Sequence, residues 1–198
     1  MFYGIFLGGK IVVEKSYDEK THLKKEIFEW GKAILIAIIL TFIIRTFLFA
    51  PFQVDGDSML PNFTHKERLI ANEIIYDITS PKRGDVIIFH FDEQRDYIKR
   101  IIGVPGDTIE MKSDQLYVNG EPIDEPYLTS VKNDLHNLGM VLTEDFGPIT
   151  VEEKHLFVLG DNRKNSKDSR MIGQISFEQV VGRADVVFWP LNSFRIIK

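Results

Sequence analysis

A chain of 198 residues with a net charge of −5 has room for one domain of ordinary size and an appendage. The acidic balance and the lack of a clustered basic stripe argue against nucleic acid as the partner. There is no cysteine, which excludes disulfides and thiolate metal sites, so a folded domain must rest on its apolar core, and 44% of the residues are apolar.

Residues 1–30 are mixed in charge and end in the amphipathic Lys24-Lys25-Glu26-Ile27-Phe28-Glu29-Trp30; the apolar opening Met1–Leu7 is too short to span a bilayer. From Ala33 to Ala50 the chain is apolar on every helical face, close to the roughly 20 residues that cross about 30 Å of hydrocarbon. Its one charge, Arg45, sits near the far end, where a long side chain reaches the interface. Lys15, Lys20, Lys24, Lys25 and Lys32 precede the run, against Lys66 and Arg68 shortly after it. The positive-inside rule puts the N-terminus in the cytoplasm and the rest outside. Leu48-Phe49-Ala50 lacks the small residues of a cleavage site, so the run reads as an anchor rather than a cleavable leader.

Beyond the run, short apolar or alternating segments are cut by Gly, Pro, Asn and Asp. Strands are predicted at 68–75, 85–91, 96–104, 108–111, 115–118, 155–159, 181–189 and 194–197, with an Asn119-Gly120 hairpin turn leading into 121–123. No segment of 51–198 shows sustained helical periodicity; 176–181 allows one short turn. The expected fold class is mostly β, an antiparallel sandwich or barrel-like domain behind one transmembrane helix. The polar stretch 112–154 reads as an excursion from the main sheet, a cap or small second lobe.

Asp55-Gly56-Asp57-Ser58-Met59-Leu60-Pro61 places a hydroxyl on a turn just past the apolar run, where a nucleophile would need a base and an oxyanion cradle. Lys99 shares a strand face with Tyr97 and Ile101. A free lysine, with a pKa of about 10.4, is neutral in fewer than roughly one molecule in a thousand at pH 7, and burial lowers that value by up to about 3–5 pK units. An edge-strand lysine that discourages aggregation would look the same in the sequence. The loop Gly160–Arg170 is dense in turn-formers and paired charges, a rigid self-bonded loop on its own terms. His65, His90, His136 and His155 sit in no metal or hydrolase motif; a Ser-His-Asp triad stays open by spacing alone. No cofactor and no metal are expected.

Three stretches in order resemble the bacterial type I signal peptidases, the membrane-anchored serine–lysine leader peptidases. They are Ser58-Met59-Leu60-Pro61 just past a span, Arg83-Gly84-Asp85-Val86 leading to Tyr97-Ile98-Lys99-Arg100, and Gly160-Asp161-Asn162-Arg163 through Asp168-Ser169-Arg170. The likeness runs from about residue 30 to about residue 190. It implies Ser58 as nucleophile and Lys99 as general base, with the Ser58 N–H in the oxyanion hole. It further implies that Ser166 holds the lysine amine, Asp168 and Arg170 brace the loop, and Met59 walls the site. Two positions depart from the pattern. Gly56 stands where some members carry a serine that donates a second oxyanion hydrogen bond, and Asn62 where threonine is common after the proline.

The resemblance implies a serine endopeptidase that removes signal peptides from exported preproteins at the outer face of the cytoplasmic membrane. Signal-peptide-bearing preproteins and the phospholipid membrane are its expected partners. The expected layout is a cytoplasmic segment over 1–30, an anchor over 31–50 and an extracytoplasmic catalytic β domain over 51–198, with 112–154 a variable insert. From Pro51 to Asp57 an extended chain covers roughly 25 Å at most, which keeps Ser58 near the membrane surface. Two other classes stand beside this one: a self-cleaving serine–lysine protease of the repressor type, and a membrane-tethered β domain without enzymatic activity.

Overall fold

The computed structural model describes residues 15–47 and 49–197. The expectation for Met1–Leu7 lies outside them. Helix α1 (Lys15–Phe47) takes in the apolar run from Ala33 to Phe47, and Ile34, Leu35, Ile36 and Ile38 are each more than half exposed. Among the described residues no helix is long and apolar enough to cross a membrane. The predicted span also takes in 42–50, whose side chains lie outside the described residues. Its last two residues, Phe49 and Ala50, are strand rather than helix, because they pair with Asn72 and Ala71.

The chain divides into two compact units, 1–44 and 45–198. The second is mostly antiparallel β. Its larger sheet runs β1 (Phe49–Gln53), β2 (Arg68–Asn72), β11 (Val180–Trp189), β3 (Val86–Asp92), β4 (Arg95–Gly103), β9 (His155–Leu159) and β10 (Ile175–Ser176), with β12 (Arg195–Ile196) also on β11. The smaller sheet runs β7 (Glu121–Ile123), β6 (Gln115–Val118), β5 (Thr108–Lys112) and β8 (Phe146–Thr150). At the predicted hairpin, Asn119 and Gly120 have φ of 54° and 82°, the left-handed pair that a two-residue turn needs.

The unbroken Val86-Ile87-Ile88-Phe89 run of β3 reads as a strand covered on both faces, and it is. Val86 and Ile88 pack with Leu69, Ala71 and Val187 on one side. Ile87 and Phe89 pack with Ile101, Leu156 and Val158 on the other. The smaller sheet turns Ile109, Met111, Leu116 and Val118 onto Ile102, Phe157 and Leu159, so the lobe is seated on the main domain through apolar contact.

The short turn allowed at 176–181 is present as a single 3-10 turn over Phe177–Gln179, but the expectation of no sustained helix in 51–198 is corrected by α3 (Thr129–Asn137), alongside the short α2 (Ile75–Ile78) and α4 (Ser169–Ile172). α3 buries none of its residues fully, and its two apolar residues, Val131 and Leu135, are half-buried. Lys132 and His136 reach the buried Asp114, with His136 Nε2 at 2.7 Å from Oδ2. Strand 68–75 ends early at Asn72 because Ile75 opens α2.

Candidate active site

The β3–β4 ladder sets Lys99 opposite Ile87 and Tyr97 opposite Phe89. Alternation turns Tyr97, Lys99 and Ile101 to the face where Ile87, Phe89 and Ile101 form a core. The lysine therefore points into apolar surroundings and is only 3% exposed. Loss of water pushes its amine down to about 8, against the opposing pull of the Asp168 and Asp161 carboxylates.

Ser58 reaches the same place from a different part of the chain. Met59 and Phe63 are buried with Val54 and Leu69. They anchor a turn in which Leu60 N–H donates to Asp57 O and Phe63 N–H to Met59 O. With Met59 pointing inward, Ser58 faces out onto a cavity of roughly 750 Å³ that Lys99, Gly56 and Asn165 also line. Lys99 Nζ donates to Ser58 Oγ at 2.8 Å and to Ile98 O at 2.8 Å. An amine so held can keep one hydrogen on Ile98 O and, once neutral, turn its lone pair to the serine hydroxyl.

The cavity is bounded by two free strand edges. β9 pairs with β4 only from Arg100 onward, which leaves residues 95–99 without a neighbour on that side among the described residues. Among the described residues β1 pairs with β2 alone. The sheet curves far enough that Phe52–Val54 and Arg95–Lys99 line one cavity, with Leu69 and Ile88 as apolar walls.

The family model described as "Signal peptidase, peptidase S26" matches residues 27–189, and Ser58, Lys99 and the 160–170 loop all lie inside that match. This chain belongs to the signal peptidase family, peptidase S26. It is 48% identical over 180 residues to signal peptidase I S of Bacillus subtilis (strain 168), covering 90% of this chain and 97% of that one. Against a signal peptidase I of Bacillus amyloliquefaciens the identity is 46% over 185 residues, 93% of this chain and all of the other. Signal peptidase IB of Staphylococcus aureus (strain COL) is 40% identical over 184 residues, 87% of this chain and 95% of its own. A crystal structure of a signal peptidase I from Enterococcus faecalis aligns at 38% identity and a TM-score of 0.49, over 54% of this chain and 97% of its own.

In this member of the signal peptidase family the loop after β9 is stitched to the turn that carries Ser58. Asn162 donates its backbone N–H to Ser58 O at 3.0 Å and its side-chain amide to Asp57 O at 3.0 Å. Gly160 passes so close that a Cβ there would lie 2.5 Å from Ser58 O and 2.1 Å from Ser166 Oγ. Asp168 is fully buried; it caps α4, accepts from Gly160 N–H at 3.0 Å and takes Arg170 Nε and a terminal nitrogen at 2.8 Å each. Arg170 also donates to Arg163 O. Ser166 Oγ is buried against Gly160 with no hydrogen-bond partner among the described residues, while Lys99 bonds to Ser58 and Ile98.

Ser58 N–H makes no hydrogen bond among the described residues and stays available to an oxyanion. Gly56 N–H does not, since His65 Nδ1 accepts it at 3.1 Å. His65 itself is exposed and bonded away from Ser58. Among the described residues no cluster of His, Asp and Glu could hold a metal ion.

The sequence alone did not reveal a buried ion pair close to Lys99. Arg100 Nε and a terminal nitrogen reach the two Asp161 oxygens at 2.9 and 2.7 Å, with both side chains almost fully buried. Strand alternation already sent Arg100 to the face opposite Lys99, and a buried arginine requires a partner. That was the available signal.

Proposed function

We propose that this protein is a membrane-bound serine endopeptidase that cuts signal peptides from exported preproteins at the outer face of the cytoplasmic membrane. One observation carries the reading: a lysine amine, buried and depressed toward neutrality, lies 2.8 Å from a serine hydroxyl that faces an open groove. Ser58 is the nucleophile and Lys99 the general base. The neutral amine takes the hydroxyl proton as Oγ attacks the scissile carbonyl, then gives it to the leaving amine. The free N–H of Ser58 receives the negative charge that develops on the carbonyl oxygen. A water, deprotonated by the same lysine, then releases the acyl group. Ser166 is assigned to orient the amine, on the strength of a buried hydroxyl with no hydrogen-bond partner among the described residues.

The substrate is read as an added strand. The free edges of β1 and of residues 95–99 can pair with an extended peptide backbone, which binds without reading sequence. Leu69 and Ile88 give shallow apolar walls, suited to small side chains before the cut. Support for the anchor comes from the apolar run 33–50, its basic N-terminal flank and the exposed apolar side chains from Ile34 to Leu40.

The test uses the full chain in phospholipid and a precursor bearing a signal peptide. Ser58→Ala and Lys99→Ala each abolish cutting while the fold survives, and His65→Ala retains it. Cutting that depends on His65 and survives loss of Lys99 overturns the dyad. A folded wild-type protein that cuts nothing returns the argument to a binding module.

A further inference from the structure

Directly after β7 the lobe sends Glu125 and Tyr127 back toward the main domain. The Glu125 carboxylate takes both terminal nitrogens of Arg163, one of them at 3.2 Å, and Tyr127 O–H donates to the same carboxylate at 2.7 Å. Arg163 is wholly buried at its side chain, and Glu125 is 6% exposed. Arg163 Nε then donates to Gly160 O at 3.1 Å. That glycine is the residue with no room for a Cβ against Ser58 O.

A second arm starts at Tyr127. Its ring lies 4.0 Å from the Arg100 guanidinium, which pairs with Asp161. Asn62 on the nucleophile turn donates its one amide group to Tyr127 O at 3.1 Å and to Asp161 Oδ2 at 2.9 Å. Residues 62, 125–127 and 160–163 therefore share one buried polar network. Two guanidinium groups are balanced in it by two carboxylates, Arg100 by Asp161 and Arg163 by Glu125. A buried guanidinium left without its carboxylate moves toward water, and Arg163 would take the Gly160 carbonyl with it.

We propose that Glu125 and Tyr127 are positioning residues, through which the smaller-sheet lobe clamps loop 160–163 against the nucleophile turn and holds Ser58 at the Lys99 amine. The proposal rests on the reading of Ser58 and Lys99 as the reacting pair. It makes the lobe part of the catalytic machinery rather than a tolerated insertion.

The experiment compares wild type with Glu125→Ala, Glu125→Gln, Tyr127→Leu and Tyr127→Phe, each as the full chain in phospholipid. Steady-state kinetics on a signal-peptide precursor are paired with hydrogen exchange of segments 56–63 and 158–166. Glu125→Ala lowers kcat by about 10²-fold with KM within about twofold, as expected when geometry rather than binding is lost. Exchange in both segments quickens by about tenfold or more while β2 and β11 keep their protection. Tyr127→Leu behaves likewise, and Tyr127→Phe, which keeps the ring over Arg100, restores most of the rate. Where Glu125→Ala does not fold, Glu125→Gln and Tyr127→Phe are compared in its place, and the charge-neutral glutamine shows the larger loss. Variants that melt earlier yet keep wild-type kcat and wild-type exchange at 56–63 overturn the clamp. An inactive wild type overturns the proposed function, and the exchange measurement still decides whether the lobe holds the turn.

Discussion

Asn162 binds the Ser58 turn twice, through its backbone N–H to Ser58 O and through its side chain to Asp57 O, both at 3.0 Å. The hydroxyl is thus placed from a part of the chain remote in sequence, by a loop that follows β9, and Lys99 meets it from β4. Three separate segments must be in register before the pair at 2.8 Å exists.

The pH dependence follows from the buried amine. Only the neutral lysine can accept a proton, and its value is about 8. The rate constant kcat/KM rises with pH up to about 8 and then levels. A profile measured on a precursor peptide checks this; a limb near about 6.5, the ordinary histidine value, would move the base elsewhere.

The same burial costs stability. The folded amine titrates near 8 and the unfolded one near its ordinary 10.5, so between those values the unfolded chain holds more protons and stability rises with pH. Below about 8 the full penalty is present. Lys99→Met removes it and raises unfolding free energy at pH 7 by on the order of 1–3 kcal/mol, less what the two lost hydrogen bonds supplied. Urea unfolding at pH 7 and pH 11 reads this out, since the gain disappears above 10.5.

Gly160→Ala forces a methyl into Ser58 O and Ser166. Overpacking costs about 1–3 kcal/mol, and the displaced nucleophile costs about 10²-fold or more in kcat. Thermal melting and steady-state rates separate the two effects. An alanine variant with wild-type kcat would mean that the contact does not position the serine.

Asp161→Asn leaves Arg100 buried without its counter-charge and removes one of the carboxylates that hold the Lys99 amine up. Stability falls, by roughly 3–5 kcal/mol if the Arg100 pair is fully broken. The acidic limb of the rate profile moves to lower pH, because desolvation then acts with less opposition. An unmoved limb in a folded variant would show that Asp161 does not act on the amine.

Most strands were legible because they alternate or run apolar between turn-formers; 115–118 and 155–159 were read to the residue. β8 was not, since Gly147-Pro148 interrupts it. Proline removes a backbone donor, and β8 tolerates that because it lies at a sheet edge and pairs with β5 alone. α3 escaped for a different reason: only Val131 and Leu135 mark its apolar face, too short a stripe to read, and Lys132 and His136 hold it on Asp114.

By itself the order of residues determined the β class, the hydroxyl on its turn, the face on which Lys99 stands and the likeness that named the family. Those are local properties, set by alternation, turn chemistry and motif. Whether Lys99 would be dry or wet, and near Ser58 or far from it, was decided by tertiary structure alone. Desolvation depends on what Ile87, Phe89 and Ile101 enclose, and proximity depends on strands paired across long stretches of chain. The network through Glu125, Arg163 and Asn62 belongs to the same class, because a buried charge shows its partner only when the chain has folded around it.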